Sequence, residues 1–264
     1  MFLRSLACLD RVVNGEYMRA MNITADASVA ANYEKAYFPI APFMPYGPHL
    51  PMTTGILIAE ALAVAIGSRI GAFVLPVQPF GAFLENNEKY NICVDSGLLY
   101  DLVLDIASNL RNQGFKRLVL HQGFRGLSIL YPLTRHINSA GIIQTVLVNP
   151  FDPAEAQGGV LEGAGNVHAC ELQTSLMLYL NPKLVDEDKM RGADFVPDVP
   201  PHYLDYKPLS AYCPGGVWGR PSLASAEKGR KFFDIAVESS VAYINDVFEF
   251  MSKNGGYAGS LSSL

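Results

Sequence analysis

The sequence predicts a single α/β domain in which a mostly parallel central sheet lies between two layers of helices, an α/β/α sandwich. Apolar, strand-like runs alternate with helical patterns along the chain, and this alternation is typical of parallel α/β folds. The runs are apolar throughout, as expected for strands that are buried on both faces. A chain of 264 residues commonly forms one such domain. We therefore expect residues 1–264 to fold as one unit.

The order of predicted elements follows from periodicity and from the residues that start and stop each pattern. Residues 1–35 show no sustained period, so we expect them only to cover the body of the protein. A helix is predicted from Thr53 or Thr54, with Gly67 and Gly71 as stops. The remaining predictions are strands at 36–43, 72–77, 117–121 and 142–148, a polar turn at 85–89, and helices at 98–113, 127–138, 176–180 and 222–250.

Composition narrows the classes of partner. Lys and Arg number 20 against 25 Asp and Glu, so the chain lacks the basic excess that binds nucleic acid or an anionic membrane. A small-molecule substrate is the expected partner. Half of the residues are apolar, which is high for a soluble monomer and predicts a homo-oligomer. The four cysteines are scattered without metal-site spacing, and the sequence shows neither a membrane-span nor a signal-peptide pattern, so we expect reduced thiols and a cytoplasmic protein.

Three loops are expected to form one pocket. Residues 44–55, 121–126 and 166–175 each follow an apolar strand or precede a helix. A parallel sheet brings such loops together at its carboxyl edge, where α/β folds carry their binding sites. The first loop, within 41–55, contains four prolines and two glycines, which fix its course.

These three loops, together with residues 215–229, resemble the creatininase (creatinine amidohydrolase) family. The loop Met-Pro-Tyr-Gly-Pro-His-Leu-Pro at 44–51 is similar to the family's Glu-x-His-Gly-x-His-Leu-Pro, and Gly-Gly-Val-Trp-Gly-Arg-Pro at 215–221 is similar to its Gly-Val-Trp-Gly-Asp-Pro segment. The resemblance covers about residues 36–250 and implies the family's α/β fold, hydrolysis of amide or cyclic amide bonds, and an oligomer that is commonly a hexamer. It also implies two divalent metals, zinc or manganese, that activate a bridging water.

The metal-binding positions of that family are altered in this chain. Met44 stands at the family's Glu, Tyr46 at its His and Gly55 at its Asp. In the second loop Gly123 replaces a His, and Arg125 replaces a carboxylate with a positive charge that would repel a cation. We therefore predict no metal ligands and no cofactor, with a zinc or manganese site built from relocated ligands as the alternative.

Other family positions are retained, and they supply the predicted site. His168 falls at a histidine that the family uses to shuttle protons, and imidazole titrates near working pH. The predicted catalytic residues are His168, Tyr46 and His121, and the predicted substrate-binding residues are His49, Arg125, Glu171, Gln173 and Trp218. Each of these candidates has a structural alternative; for example, His49 could only hold its loop, Glu171 could cap a helix, and Trp218 could pack against a neighbouring subunit.

Three functional hypotheses remain open at this point. The leading one is a creatininase-fold enzyme that works without metal, by acid/base chemistry, on a C–N bond of a small molecule. It would catalyse hydrolysis, cyclisation or rearrangement, and a specialised biosynthetic pathway is the setting that we expect. The second is a metal-dependent amidohydrolase that uses relocated ligands such as His49, His121, His168 and Glu171. The third is a catalytically silent binding or scaffold subunit.

Overall fold

Four parallel strands form the central sheet of the computed structural model, which describes residues 33–82, 90–152, 159–163 and 165–253. The strand order is β2-β1-β3-β4, with β1 at Lys35–Ile40, β2 at Ala72–Val74, β3 at Arg117–Gln122 and β4 at Gln144–Val148. Lys35 lies opposite both Ala72 and Arg117, and Arg117 lies opposite Gln144. Because all four strands run the same way, their carboxyl ends share one edge, where the loops after β1 and β3 meet.

Helices cover both faces of this sheet. They are α1 at Thr54–Ile70, α2 at Ser96–Asn112, α3 at Leu130–Ser139, α4 at Glu171–Leu180, α5 at Glu187–Met190 and α6 at Ala226–Lys253, with short 3-10 turns at Pro182–Leu184, Pro201–Asp205, Leu209–Ala211 and Pro221–Leu223. Tyr37 and Val119 belong to the core formed with α1, α4 and α6. Phe38 and Leu118 belong to the core formed with α2 and α3. The α/β/α layering follows from this division.

Several elements differ from their predicted bounds for local reasons. Of the two predicted stops, the helix passes through Gly67, continues to Ile70 and ends at Gly71, whose φ of 65° is left-handed. Position 67 lies inside α1 and favours glycine, because a β-carbon there would come 2.4 Å from Val74 Cγ2. The strand predicted at 72–77 ends at Val74, shortly before Pro76, which has no N–H to donate.

The other differences are shifts of helix and strand ends. The helix predicted at 176–180 begins at Glu171, because Cys170 and Gln173 form a capping box ahead of it. The C-terminal helix begins at Ala226 instead of residue 222, because Pro221–Leu223 forms a 3-10 turn. The strands predicted at 36–43 and 142–148 are shorter, at Lys35–Ile40 and Gln144–Val148, and the helix predicted at 127–138 begins at Leu130.

One close helix contact fixes the segment that leads to the site. A β-carbon on Gly229 of α6 would lie 1.9 Å from the carbonyl oxygen of Ser175 in α4. No other residue would allow the two helices to approach this closely. Gly229 therefore sets the position of α4, at whose N-terminus His168 and Cys170 lie.

Two predictions fall wholly or mainly on residues outside the described ranges: the covering segment at 1–35, of which only 33–35 are described, and the polar turn at 85–89. No helix in the described ranges is both long enough and apolar enough to cross a membrane.

Candidate functional site

The three loops meet in one cleft at the carboxyl edge of the sheet. The cleft encloses about 520 Å³, counting the space open to solvent at its mouth. It is lined by Tyr46, Gly55, Ile58, Gly123, Phe124, Arg125, Phe151, Asn166, Val167, His168, Leu172 and Gln173. Four predicted site residues lie along it, Tyr46, Arg125, His168 and Gln173, whereas His49, His121, Glu171 and Trp218 lie elsewhere.

His168 is held between aromatic rings. Its imidazole stacks on Tyr46, with ring centroids 4.6 Å apart and planes 26° apart, and meets Phe124 edge-on at 6.5 Å. Its Nε2 lies 2.8 Å from the carbonyl oxygen of Pro45. A carbonyl can only accept, so Nε2 carries the proton and, in the neutral ring, Nδ1 carries the lone pair. This tautomer makes Nδ1 the basic nitrogen.

The backbone around His168 is fixed on both sides. His168 and Trp218 pair as an isolated bridge, with Trp218 N donating to the carbonyl of His168 at 2.9 Å. Ala169, the next residue, has a φ of 47°, a left-handed conformation that turns the chain towards α4. The Trp218 side chain is buried and packs against Tyr212, Leu209 and Cys213. Trp218 thus supports His168 from behind and does not line the cleft.

Tyr46 occupies space that a side chain at position 55 would need. Its hydroxyl oxygen is 2.5 Å from the point where a β-carbon on Gly55 would lie. Burial raises the pKa of Tyr46 well above its ordinary value. The phenol therefore stays protonated and can act as a donor, but it cannot act as a base near neutral pH.

Arg125 lies at the cleft in an exposed ion pair. Its Nη2 is 2.9 Å from Asp152 Oδ1, and the two side chains are 59% and 50% exposed. The backbone carbonyl of Arg125 accepts from Gln122 Nε2 at 3.1 Å, which holds the loop after β3. An exposed pair of this kind contributes only about 0–1 kcal/mol, so an anionic ligand could displace Asp152 at little cost.

Gln173 lines the cleft but also caps α4. Its Oε1 accepts from the backbone N of Cys170 at 3.1 Å and from the Cys170 thiol at 2.8 Å. Burial raises the pKa of that thiol to about 12, so Cys170 is not a thiolate nucleophile at neutral pH. The Gln173 amide nitrogen is the part of this side chain with the capacity to serve a ligand.

Glu171 is an internal anchor and does not line the cleft. Its side chain is fully buried and pairs with Lys228 Nζ at 2.6 Å. It also accepts from the backbone N of Gly163 at 2.7 Å and from that of Glu162 at 3.1 Å. Although burial lowers the pKa of Lys228, its hydrogen bonds to Glu162 and Glu171 outweigh that effect and raise it. Glu171 therefore ties the segment before Asn166 to α4 and α6.

His49 holds the first loop against α4. Its Nε2 lies 2.9 Å from Thr174 Oγ1, and the imidazole is almost completely buried. Burial lowers the pKa of His49 to about 4, against a smaller raising effect from Asp186 and Asp194. A neutral, buried ring bonded to a threonine fits the structural alternative that the sequence left open.

His121 lies within the sheet and not in the cleft. It is fully buried on β3, edge-on to Tyr37 at 5.7 Å, and neither ring nitrogen has a hydrogen-bond partner among the residues that the structure describes. Burial lowers its pKa to about 3, so the ring is neutral in the folded protein at physiological pH. We therefore leave His121 out of the proposed catalytic group.

Asn166 is a cleft residue that the sequence reasoning missed. Its Nδ2 donates to the carbonyl of Gly163 at 2.6 Å, while its buried Oδ1 accepts from no described group. Its position two residues before His168 was the available signal. The apolar lining by Phe124, Phe151 and Leu172 was not predicted either.

The residues at the family's metal positions do not fit a dinuclear site. A β-carbon on Gly123 would lie 2.7 Å from Ala41 Cβ and 2.9 Å from the carbonyl oxygen of Ile40, so there is no room for a histidine. Position 55 is blocked by Tyr46, and Met44 is buried in the core. Arg125 brings a cation instead of a carboxylate.

The relocated ligands fit no better. His49 is bonded to Thr174, Glu171 is paired with Lys228, and His121 lies within the sheet. In the part of the chain that the structure describes, no three or more His, Cys, Asp or Glu residues are grouped so that they could hold a metal.

A sequence-profile match shows the family to which the chain belongs. The profile of the creatininase family, described as creatinine amidohydrolase, matches residues 21–244. The chain belongs to the creatininase family. It is 28% identical over 244 residues to a creatinine amidohydrolase of Pseudomonas putida, covering 84% of this chain and 93% of that protein. It is 24% identical over 251 residues to a mycofactocin precursor peptide peptidase of Mycobacterium ulcerans (strain Agy99), covering 88% and 95%.

Solved creatininase structures have the same fold. One described as the manganese form aligns with a TM-score of 0.74 at 26% identity, covering 88% of this chain and 99% of that chain. A mutant described as the Zn-Zn type aligns with a TM-score of 0.73 at 26% identity, covering 88% and 98%. The chain thus has the amidohydrolase fold of the creatininase family, and its named relatives are hydrolases that act on C–N bonds.

Proposed function

We propose that this creatininase-family chain is a metal-independent enzyme that acts on a C–N bond of a small molecule bound in the cleft, by acid/base catalysis from His168. One observation carries the proposal: His168 keeps an oriented imidazole in the cleft, whereas the groups at the family's metal positions do not fit a dinuclear zinc or manganese site. The relatives' hydrolysis of C–N bonds supports the reaction class.

His168 has the geometry of a general base and acid. Its Nε2–H is held by the Pro45 carbonyl, so Nδ1 would take a proton from the attacking water and return it to the leaving nitrogen. Positioned acid/base catalysis of this type contributes about 10²- to 10⁴-fold to rate. This proton transfer requires no metal.

The other cleft residues would bind and orient the substrate. The Tyr46 hydroxyl, protonated because of its burial, would donate to the carbonyl oxygen that becomes negative during attack. The Gln173 amide would donate to a second oxygen. Arg125 would take an anionic group in place of Asp152, so the expected substrate is anionic or rich in oxygen.

The decisive experiment compares turnover by His168→Gln with that by the native chain. A panel of small amides, cyclic amides and short peptides would be followed by mass spectrometry with protein stripped of metal. Glutamine can still donate to the Pro45 carbonyl but cannot act as a base, so the fold is kept and the chemistry is removed. We expect a loss of at least ~100-fold in kcat.

His202→Gln, at an exposed position in a 3-10 turn, is the matched control and should retain full activity. Unchanged turnover by His168→Gln would refute the role of His168. Binding of panel compounds without turnover by the native chain would favour the third hypothesis, a silent binding subunit.

A further inference from the structure

The Asn166 side chain leaves a buried acceptor unused beside the cleft. Its Oδ1 is shielded from solvent and accepts from no group in the described ranges. The Asn166 nitrogen, Nδ2, is identified by its hydrogen bond to the Gly163 carbonyl, because a carbonyl oxygen can only accept. Buried polar atoms in folded proteins almost always have a partner, and an unpaired one destabilises the fold. Asn166 Oδ1 therefore has unused capacity to accept a hydrogen bond beside the cleft.

This acceptor is held in place from behind. Glu171, itself buried, accepts from the backbone N of Gly163 and is paired with Lys228. The carbonyl of Gly163 in turn fixes Asn166 Nδ2. Three consecutive contacts thus orient the carboxamide before any ligand arrives, as expected for a recognition position and not for a surface asparagine.

Asn166 and His168 line the same cleft and are two residues apart, so a ligand group that reaches one lies near the other. Arg125, also along the cleft, supplies a positive charge whose present partner, Asp152, is exposed and easily displaced. The Asn166 acceptor and the Arg125 cation lie along one cleft. Together they match a ligand that carries a hydrogen-bond donor and, at another point, an anionic group.

We propose that Asn166 Oδ1 accepts a hydrogen bond from an amide N–H of the ligand, so that the cleft selects carboxylate-bearing secondary amides and rejects their N-alkylated counterparts. The choice of an amide N–H as the donor rests on the proposed function. A ligand without that N–H leaves Oδ1 unpaired in a water-poor site, and sites built around a hydrogen bond discriminate strongly against such analogues.

The test uses two small acids that differ at one atom. N-acetylglycine has an amide N–H and a carboxylate, whereas N-acetylsarcosine has an N-methyl group in place of the N–H. Dissociation constants would be measured by titration in NMR with the full chain. We expect N-acetylglycine to bind about tenfold more tightly. In Asn166→Leu, which keeps bulk but has no acceptor, the two constants should differ by less than about twofold.

Asn109→Leu places the same substitution on the exposed face of α2 and should keep the native ratio. Asn166→Ala serves as a second variant if Asn166→Leu does not fold, and circular dichroism checks both. Equal affinities in the native chain, no binding of N-acetylglycine at millimolar concentration, or a ratio that persists in the Asn166 variants would each overturn the proposal.

The result is separable from that of the proposed function because it is read from binding alone. His168→Gln should keep the tenfold preference even as it loses turnover. If His168→Gln stays active while the preference depends on Asn166, the catalytic proposal fails and the recognition proposal stands.

Discussion

The hydroxyl oxygen of Tyr46 lies 2.5 Å from the point that a β-carbon on Gly55 would occupy. In the motif resemblance of the sequence, these positions fall at a histidine and an aspartate of the creatininase family's metal-binding pattern. The two replacements are sterically coupled, because the larger phenol fills space that the missing carboxylate leaves. Restoring a side chain at position 55 alone would produce a clash and not a metal ligand.

Gly55→Ala should therefore be destabilising even though Gly55 lies in the first turn of α1. In an open helix this change stabilises by up to about 1 kcal/mol. Here we expect a loss of about 1–3 kcal/mol from overpacking, and a clearly smaller loss in the Tyr46→Phe background, where the hydroxyl is absent. Urea denaturation of the four proteins gives the coupling energy. Additive effects of the two changes would contradict the steric relationship.

Gly229→Ala should weaken the contact between α4 and α6. The new methyl group would need the space of the Ser175 carbonyl, 1.9 Å away, so the helices must move apart. We expect a loss of at least ~3 kcal/mol in the free energy of unfolding. Gly192→Ala is the control, since a β-carbon there has no heavy-atom neighbour within 4 Å. Equal stability of the two variants would show that α6 does not constrain α4.

Lys228→Met should leave the buried Glu171 carboxylate without its cation. Breaking a buried pair on one side costs about 3–5 kcal/mol, and adding Glu171→Gln should recover part of that loss. Lys231→Met removes an exposed partner of Glu227 and should cost less than ~1 kcal/mol. Chemical denaturation gives the free energy of unfolding of the native chain, the two single Lys variants and the double variant. A loss within ~1 kcal/mol for Lys228→Met would mean that the backbone donors alone satisfy Glu171.

Acid should destabilise the fold through His49 and His121. Their folded pKa values, about 4 and about 3, lie below the ordinary value of 6.5. The unfolded chain therefore binds more protons below pH 6.5, and stability that is complete above that pH is lost as the pH falls. Each histidine should contribute a slope of roughly 1.4 kcal/mol per pH unit.

His121→Phe removes one of these two groups and tests this assignment. Its unfolding free energy should fall less between pH 8 and pH 5 than that of the native chain. The exposed His202 provides the matched His202→Phe control, which should keep the native slope. An unchanged slope in His121→Phe would contradict the buried, neutral state of that ring.

Sequence patterns predicted the layered α/β fold well, because buried parallel strands and amphipathic helices are encoded locally. The ends of elements were harder, since they depend on tertiary contacts. Gly67 looked like a helix stop, but its role is to let β2 approach α1. The start of α4 was missed because a cysteine and a glutamine form its capping box.

The site was predicted less completely, since a residue's number along a loop does not tell which way its side chain points. His168 and Tyr46 line the cleft, whereas Glu171 points back towards Lys228. The sequence placed His121 at the end of a strand, but β3 continues to Gln122 and the His121 ring packs in the core beside Tyr37. Asn166 Oδ1 has no partner in the described ranges, while Nδ2 of the same side chain is bonded to the Gly163 carbonyl, an arrangement that no short pattern encodes.

The metal content of the protein tests the central claim most directly. Chain purified without a chelator or an affinity tag would be examined by elemental analysis, alongside turnover before and after dialysis against a chelator. We predict well under one transition metal per chain and no change in turnover. One or more equivalents of zinc or manganese, together with activity that is lost on chelation and recovered with metal, would contradict the account.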